Sequence, residues 1–202
     1  HVSLLVLICL AGFRYKVGGD TIGYMEFFED IPLLWELEKF SFSAYAFDPL
    51  WVFFSSVSKS LVNDYYFFQF LHAIVVNVII FRFFRKTTAY YSTAVLIYFL
   101  FFYVFYNMEI MRESLAISAV LLASPHFFNR KWVKFYLFAL VAFLFHSSAL
   151  IVFFFPLFYR FEPRLWTIAV LLPAFLGFQF VIENYPSFLN FILFTDRLST
   201  KF

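Results

Sequence analysis

Hydrophobic positions in this chain come in long blocks broken by short charged clusters. Residues 65–81, 87–108, 114–129, 135–159 and 165–182 carry no charged side chain. Each stretch has a length near that of a membrane-spanning helix, about 20 residues. None alternates with period two, which argues against a β-barrel. Helices satisfy their backbone groups internally, as lipid requires. The pattern therefore predicts an all-α fold, a polytopic helical transmembrane bundle. Residues 1–13 are also apolar, but too short to span and without the basic start and small-residue cleavage site of a signal peptide. They read as the second half of a helix, so the sequence is expected to be a fragment, truncated at the N-terminus and also at the C-terminus.

The charges give an orientation. Short loops hold Arg82, Arg85 and Lys86, then Arg130, Lys131 and Lys134, then Arg160 and Arg164. By the positive-inside rule these clusters face the cytoplasm. Acidic residues gather elsewhere: Asp20, Glu26, Glu29, Asp30, Glu36, Glu38 and Asp48 precede the first full span, and only Glu162 sits in a basic loop. Residues 14–48, residues 107–113 and the Glu183 region are then expected outside. Residues 135–159 could form one tilted helix, which would put their basic flanks on opposite sides. Two short helices folded at His146-Ser147-Ser148 keep both flanks inside, and this hairpin is the preferred reading. Each arm with its flank is about 15 residues, ~22 Å long, so the turn would lie below the outer surface.

The outward segment is patterned too. Asp20 can N-cap a helix starting at Thr21. Tyr24, Phe27, Phe28 and Ile31 then form an i, i+3, i+4, i+7 apolar stripe, while Glu26, Glu29 and Asp30 take the other face. Pro32 interrupts or restarts the helix. This predicts an outward-facing amphipathic helix on the membrane surface or over a cavity. A second amphipathic piece, residues 49–62, begins with Pro at its first turn. No repeat, low-complexity tract or linker divides the chain, so residues 1–202 read as a single integral membrane domain.

Composition rules out the other solvents. Hydrophobic residues make up 63%, Phe alone accounts for 36 positions, and charged residues are only 14%, against roughly 25% in soluble domains. So few charges cannot coat a soluble body of this size, and disorder needs low hydrophobicity and high charge. The single Cys, Cys9, excludes an internal disulfide framework and a Cys-based zinc site. A net charge of +2 is too small to suggest nucleic acid as a partner. No His/Asp/Glu cluster has metal-ligand spacing.

Three places could carry chemistry. The first is Arg14-Tyr15-Lys16-Val17-Gly18-Gly19-Asp20-Thr21, directly after an outward-going helix. Its two cations stand beside glycines whose backbone can approach a ligand, and a helix N-terminus favours anions. The alternative is a glycine turn with interfacial cations that snorkel. The second is Asn107-Met108-Glu109-Ile110-Met111-Arg112-Glu113-Ser114. At helical spacing Glu109, Arg112 and Glu113 would share one face, and an Arg on the outward side runs against the topology bias. The alternative is a structural Arg–Glu pair. The third is His146, in Phe145-His146-Ser147-Ser148-Ala149, a possible base toward a hydroxyl. Its alternative is a buried His bonded to a backbone carbonyl, with the serines satisfying a bend. His72 and Asn77 are expected to make interhelical hydrogen bonds, and His126 beside Pro125 reads as structural.

In these motifs the chain resembles the EpsG family of bacterial membrane proteins, which belong with the Wzy-like polysaccharide polymerases. Gly12-Phe13-Arg14-Tyr15-x-x-Gly18-x-Asp20-x-x-x-Tyr24 looks like the family's segment after its first membrane helix. Asp48-Pro49-Leu50 stands where the family usually has Glu-Pro, and Arg112-Glu113-x-x-Ala116 resembles its Arg-Gln-x-x-Ala motif. Phe145-His146-Ser147-Ser148-Ala149 matches Phe-His-x-(Ser/Ala). The likeness runs from residue 12 to about residue 160. Asp48 for Glu and Glu113 for Gln are departures.

The resemblance implies a polymerase of exopolysaccharide or capsule in the bacterial inner membrane. Its substrate would be oligosaccharide units on undecaprenyl diphosphate, and its partners other polysaccharide export and chain-length proteins. Such a reaction needs cations where charge develops on the leaving diphosphate, for which Arg14 and Arg112 are the candidates. His146 is first choice as base. Asp20, Tyr15, Lys16, Glu109 and Glu113 are candidates for substrate binding. No metal or cofactor is demanded. An O-antigen-ligase-like transferase would share the donor and differ in acceptor. A non-enzymatic transporter or flippase would place its polar site nearer the midplane, where His72 and Asn77 lie.

Overall fold

A computed structural model of the chain describes residues 2–39 and 49–159, together with Pro173. Residues 1–156 cluster as one unit and residues 157–202 as a second. The first unit holds every candidate site residue. Asp48, Arg160, Glu162, Arg164, the stretch 165–182 apart from Pro173, and the Glu183 region lie outside the described residues.

The described residues are helical, without strands. In chain order they form α1 (Val2–Gly12), α2 (Thr21–Asp30), a 3₁₀ turn (Leu34–Lys39), α3 (Pro49–Leu61), α4 (Tyr65–Thr87) and α5 (Tyr91–Phe101). A π turn (Phe105–Glu109) leads into α6 (Met111–Phe128), α7 (Trp132–Phe145) and a 3₁₀ segment (Ser147–Phe154).

Among the described residues, α4 alone is long and apolar enough to cross a membrane. Asp64 caps it, accepting the Phe67 N–H at 2.9 Å, and Arg85 and Lys86 complement the dipole of its last turn. Its polar residues Gln69, His72 and Asn77 are all fully buried and turned toward other helices. Gln69 Nε2 donates to the carbonyls of Gly12 (2.8 Å) and Arg14 (3.0 Å), closing the end of α1. His72 Nε2 lies 3.0 Å from both Met111 O and Ser114 Oγ on α6. The bonds of His72 are the interhelical ones expected of it. Close approach of α1 to α4 needs Gly12, where a Cβ would run into the Phe70 ring.

The stretch 87–108 is not one uninterrupted helix. α5 stops at Phe101, and the chain reaches Glu109 through the π turn. The reason is polar. Asn107 is fully buried; its Nδ2 donates to Tyr98 Oη and to Tyr103 O, both at 2.9 Å. Asn77 Nδ2 donates to Asn107 Oδ1 at 2.7 Å, and Tyr98 Oη donates to Asn77 Oδ1 at 3.0 Å. The extra residue of a π turn lets Asn107 face this knot.

The hairpin is present. His146 is extended (φ −160°, ψ 130°) and ends α7. The 3₁₀ segment then returns, so that Phe153 stacks on Tyr136 at 5.9 Å and meets Phe143 edge-on at 6.4 Å. Ala116, Ala119 and Ala123 of α6, Ala139 and Ala142 of α7, and Ala149 form a shared core. Small residues let these elements pack closely. Inside α6, Pro125 has no N–H for the Leu121 carbonyl, and Ser124 Oγ donates to it instead at 2.8 Å.

α2 begins at Thr21 as the sequence predicts, but Asp20 makes no side-chain cap. Thr21 Oγ1 instead donates to Val17 O at 2.7 Å. The stripe Tyr24, Phe27, Phe28 and Ile31 is buried, against protein. Tyr24 meets Trp51 of α3 at 5.4 Å and Phe28 meets Phe68 of α4 at 5.3 Å. Each of these side chains contributes about 1.5–3 kcal/mol by leaving water. Lys59 of α3 closes the far end, donating to the carbonyls of Phe28 (3.0 Å), Glu29 (2.7 Å) and Ile31 (2.8 Å). Burial pulls the Lys59 ammonium below the ordinary lysine range, opposed by the charges of Asp30 and Glu29.

Many exposed positions elsewhere are apolar. Leu5 and Leu10 on α1, Leu96 and Leu100 on α5, and Val133 and Leu137 on α7 are exposed. Such a surface suits hydrocarbon rather than water.

Candidate functional site

The loop after α1, the π turn and the start of α6 meet at one end of the helices. Three interactions join them. Glu109 Oε2 accepts the Gly19 N–H at 2.8 Å, and Tyr24 Oη donates to Glu109 O at 3.4 Å. Arg14 Nη2 approaches Met111 Sδ at 3.4 Å. The loop can run this close only through Gly18, which has φ +115° and where a Cβ would collide with Met108 O.

A cleft of about 260 Å³ opens at this junction, lined by Gly19, Asp20, Gly23, Tyr24 and Arg112. A Cβ at Gly23 would meet nothing within 4 Å, so the helix backbone is open there. Arg112 hydrogen-bonds the Tyr24 hydroxyl. Burial raises the Tyr24 phenol above its ordinary value, and Glu113 adds to this while Arg112 opposes it. Tyr24 thus stays neutral and keeps a proton to donate.

Glu113, the next residue on α6, reaches the other way. Its Oε1 lies 3.3 Å from His146 Nε2, both side chains being partly buried. The His146 and Arg112-Glu113 motifs, far apart in sequence, meet here. Glu113 also stands at one end of an apolar groove of about 370 Å³ between α6 and the 3₁₀ segment, lined further by Ile117, Val120, Ile151 and Val152.

Other candidates are placed differently. Arg14 is not on the loop surface; it is 6% exposed. Its Nη1 donates to Ala11 O at 2.9 Å and its Nε to Val17 O at 3.1 Å. Burial lowers its affinity for the proton, countered by Tyr65, Tyr103 and Glu109. It ties the loop to α1 from beneath. Lys16 and Tyr15 are exposed and do not line the cleft; Lys16 Nζ sits 5.6 Å over the Tyr15 ring, which stacks on Tyr66 at 5.9 Å. Glu109 shares no helical face with Arg112 and Glu113, because Ile110 (φ −108°, ψ 59°) breaks the chain between them. It reaches the site through Gly19 instead. Tyr24, Gly23 and Gln69 also belong to this region; the sequence marks Tyr24 in an apolar stripe and at the end of the Gly12–Tyr24 motif, but not as a site residue. Among the described residues, no group of three His, Cys, Asp or Glu could hold a metal ion.

The described residues thus form an all-α fold with one helix long and apolar enough to cross a membrane, and with a polar site at the end opposite Arg82 and Arg130. The chain belongs to the EpsG family, whose family model matches residues 1–202, and this places it in polysaccharide biosynthesis. No curated protein and no solved structure matches it.

Proposed function

We propose that the chain is a glycan polymerase joining undecaprenyl-diphosphate-linked oligosaccharide units in exopolysaccharide or capsule synthesis. In this reading it is a multi-pass protein of the bacterial inner membrane, its basic loops cytoplasmic and its site outward. Other export and chain-length proteins would be its partners. The observation that carries the proposal is the meeting of Arg112, open backbone at Gly23, and the Glu113–His146 pair at one end of the helices.

A sugar hydroxyl of one unit attacks the anomeric carbon of the other. The new C–O bond forms as the bond to the lipid diphosphate breaks, and its electron pair stays on the diphosphate. Arg112 takes the developing charge, with Asp20 and Tyr24 orienting sugar hydroxyls. His146 accepts the hydroxyl proton, and Glu113 stabilises the imidazolium that results. Arg14 positions the loop. The polar groups deeper in the bundle are spent on contacts between elements, His72 with Met111 O and Ser114 of α6 and Asn77 with Asn107 of the π turn, which favours a structural use over a transport path.

The test supplies the purified full chain with lipid-linked repeat units and looks for a ladder of products. A ladder that Arg112→Ala and His146→Ala each abolish supports the reading. Translocation without new glycosidic bonds, or a ladder untouched by both substitutions, refutes it.

A further inference from the structure

The end of the bundle opposite this site carries a second feature. Arg82 and Lys86 lie four residues apart on α4, on one helix face. Together with Thr87 they form the mouth of a crevice of about 370 Å³ between α4 and α6. Its walls are apolar: Val78 and Phe83 from α4, Leu121, Leu122 and Pro125 from α6, with Phe138 of α7 behind. His126 closes one side, its ring stacked on Phe138 at 5.6 Å. On the other flank of α4 a crevice of about 360 Å³ is lined by Leu4, Val78, Phe81, Arg82, Arg85 and Tyr91. Arg82 borders both.

No carboxylate lines either crevice. Among the described residues, no side-chain hydrogen bond or ion pair engages Arg82 or Lys86. Two cations therefore stand over bare apolar walls. α4 is the helix long and apolar enough to cross a bilayer, so its basic last turn falls where hydrocarbon gives way to headgroups. A complementary ligand needs a negative phosphodiester for the cations and long hydrocarbon chains for the walls.

We propose that the α4–α6 crevice is a binding site for an anionic glycerophospholipid, its phosphate on Arg82 and Lys86 and an acyl chain along Val78 and Leu122. Net negative charge is what the site selects. A zwitterionic lipid brings a cation of its own to the same mouth, and free phosphate leaves the apolar walls unfilled. Removing both cations weakens binding about 30-fold, from the typical contribution of each basic residue at an anionic membrane surface.

The test uses the purified full chain in nonionic detergent, titrated separately with dioleoylphosphatidylglycerol, dioleoylphosphatidylcholine and inorganic phosphate. Native mass spectrometry reads retained lipid, and the thermal midpoint reads stabilisation. Phosphatidylglycerol should be retained and should raise the midpoint. Arg82→Gln/Lys86→Gln should lose about 30-fold in affinity with helical content unchanged. Thr87→Glu, a single exposed substitution at the mouth, should also weaken binding, while Arg130→Gln/Lys131→Gln, outside the crevice, should not. Equal binding of phosphatidylcholine, an equal effect of phosphate alone, or undiminished phosphatidylglycerol binding by both crevice variants would overturn the proposal.

Discussion

Glu113 Oε1 lies 3.3 Å from His146 Nε2, so the first turn of α6 holds the last side chain before the hairpin bend. A carboxylate beside an imidazole stabilises its protonated form more than a neutral amide can, because a charge-assisted bond is about twice as strong. In the resembled motif this position is Gln. Glu113→Gln keeps a hydrogen-bonding group of the same shape and removes the charge. Polymer formation by the purified protein should fall about tenfold, the difference between a charged and a neutral hydrogen bond. Glu113→Ala should fall further. A Gln variant as fast as the parent would show that the charge of Glu113 plays no part in the reaction.

Arg112 faces the cleft beside Gly19 and Gly23. If its fork holds the leaving diphosphate, Lys cannot replace it fully, since an ammonium makes no bidentate contact. Arg112→Met should reduce turnover at saturating donor by roughly 100-fold or more, as for other preorganised donors to developing charge. Arg112→Lys should fall between. Tyr24→Phe, which removes a hydroxyl bonded to Arg112, should show a smaller loss of the same kind. Equal turnover in Met and Lys variants would locate the anion elsewhere.

Arg14 behaves as a structural residue. Its guanidinium serves Ala11 O, Val17 O and Met111 Sδ beneath the loop. Arg14→Met leaves these groups buried without a donor and should cost roughly 3 kcal/mol. A lowered thermal midpoint should accompany any lost activity. Lys16→Ala, on the exposed side of the same loop, should stay within about 0.5 kcal/mol of the parent. An Arg14 variant with full stability and no activity would return this residue to the reaction.

These contrasts show what local pattern carries and what it does not. The α2 stripe from Tyr24 to Ile31 was legible because apolar spacing at period 3.6 states which face is buried. The hairpin at His146 was legible from charge, since only a fold there keeps both basic flanks on one side. The inward turn of Arg14 was not, because its acceptors are backbone carbonyls and a sulfur ninety-seven residues away. Nor was the displacement of Glu109 from Arg112. Helical spacing holds only inside a helix, and the chain breaks at Ile110. The pairing of Glu113 with His146 needed the third dimension, although both lay in motifs the sequence had singled out.

The Asn77–Tyr98–Asn107 knot explains that break and yields a last prediction. Each of its amide and hydroxyl groups has a partner, so the knot fixes the π turn, and the π turn ends in Glu109, which holds Gly19. Asn107→Leu removes the central member. It strands one amide proton of Asn77 and removes a side-chain donor from the Tyr103 carbonyl, and an ordinary α-turn becomes as good a path as the π turn. Tyr98→Phe is milder, because Asn107 Nδ2 still reaches Tyr103 O and Asn77 Nδ2 still reaches Asn107 Oδ1. Amide hydrogen exchange can separate the two. Protection at Gly19, whose N–H is bound only through Glu109's side chain, should be lost in Asn107→Leu and largely kept in Tyr98→Phe. Both variants should lower the thermal midpoint, the Leu variant by more. If exchange at Gly19 is unchanged in Asn107→Leu while the midpoint drops, the knot stabilises the bundle without setting the position of Glu109.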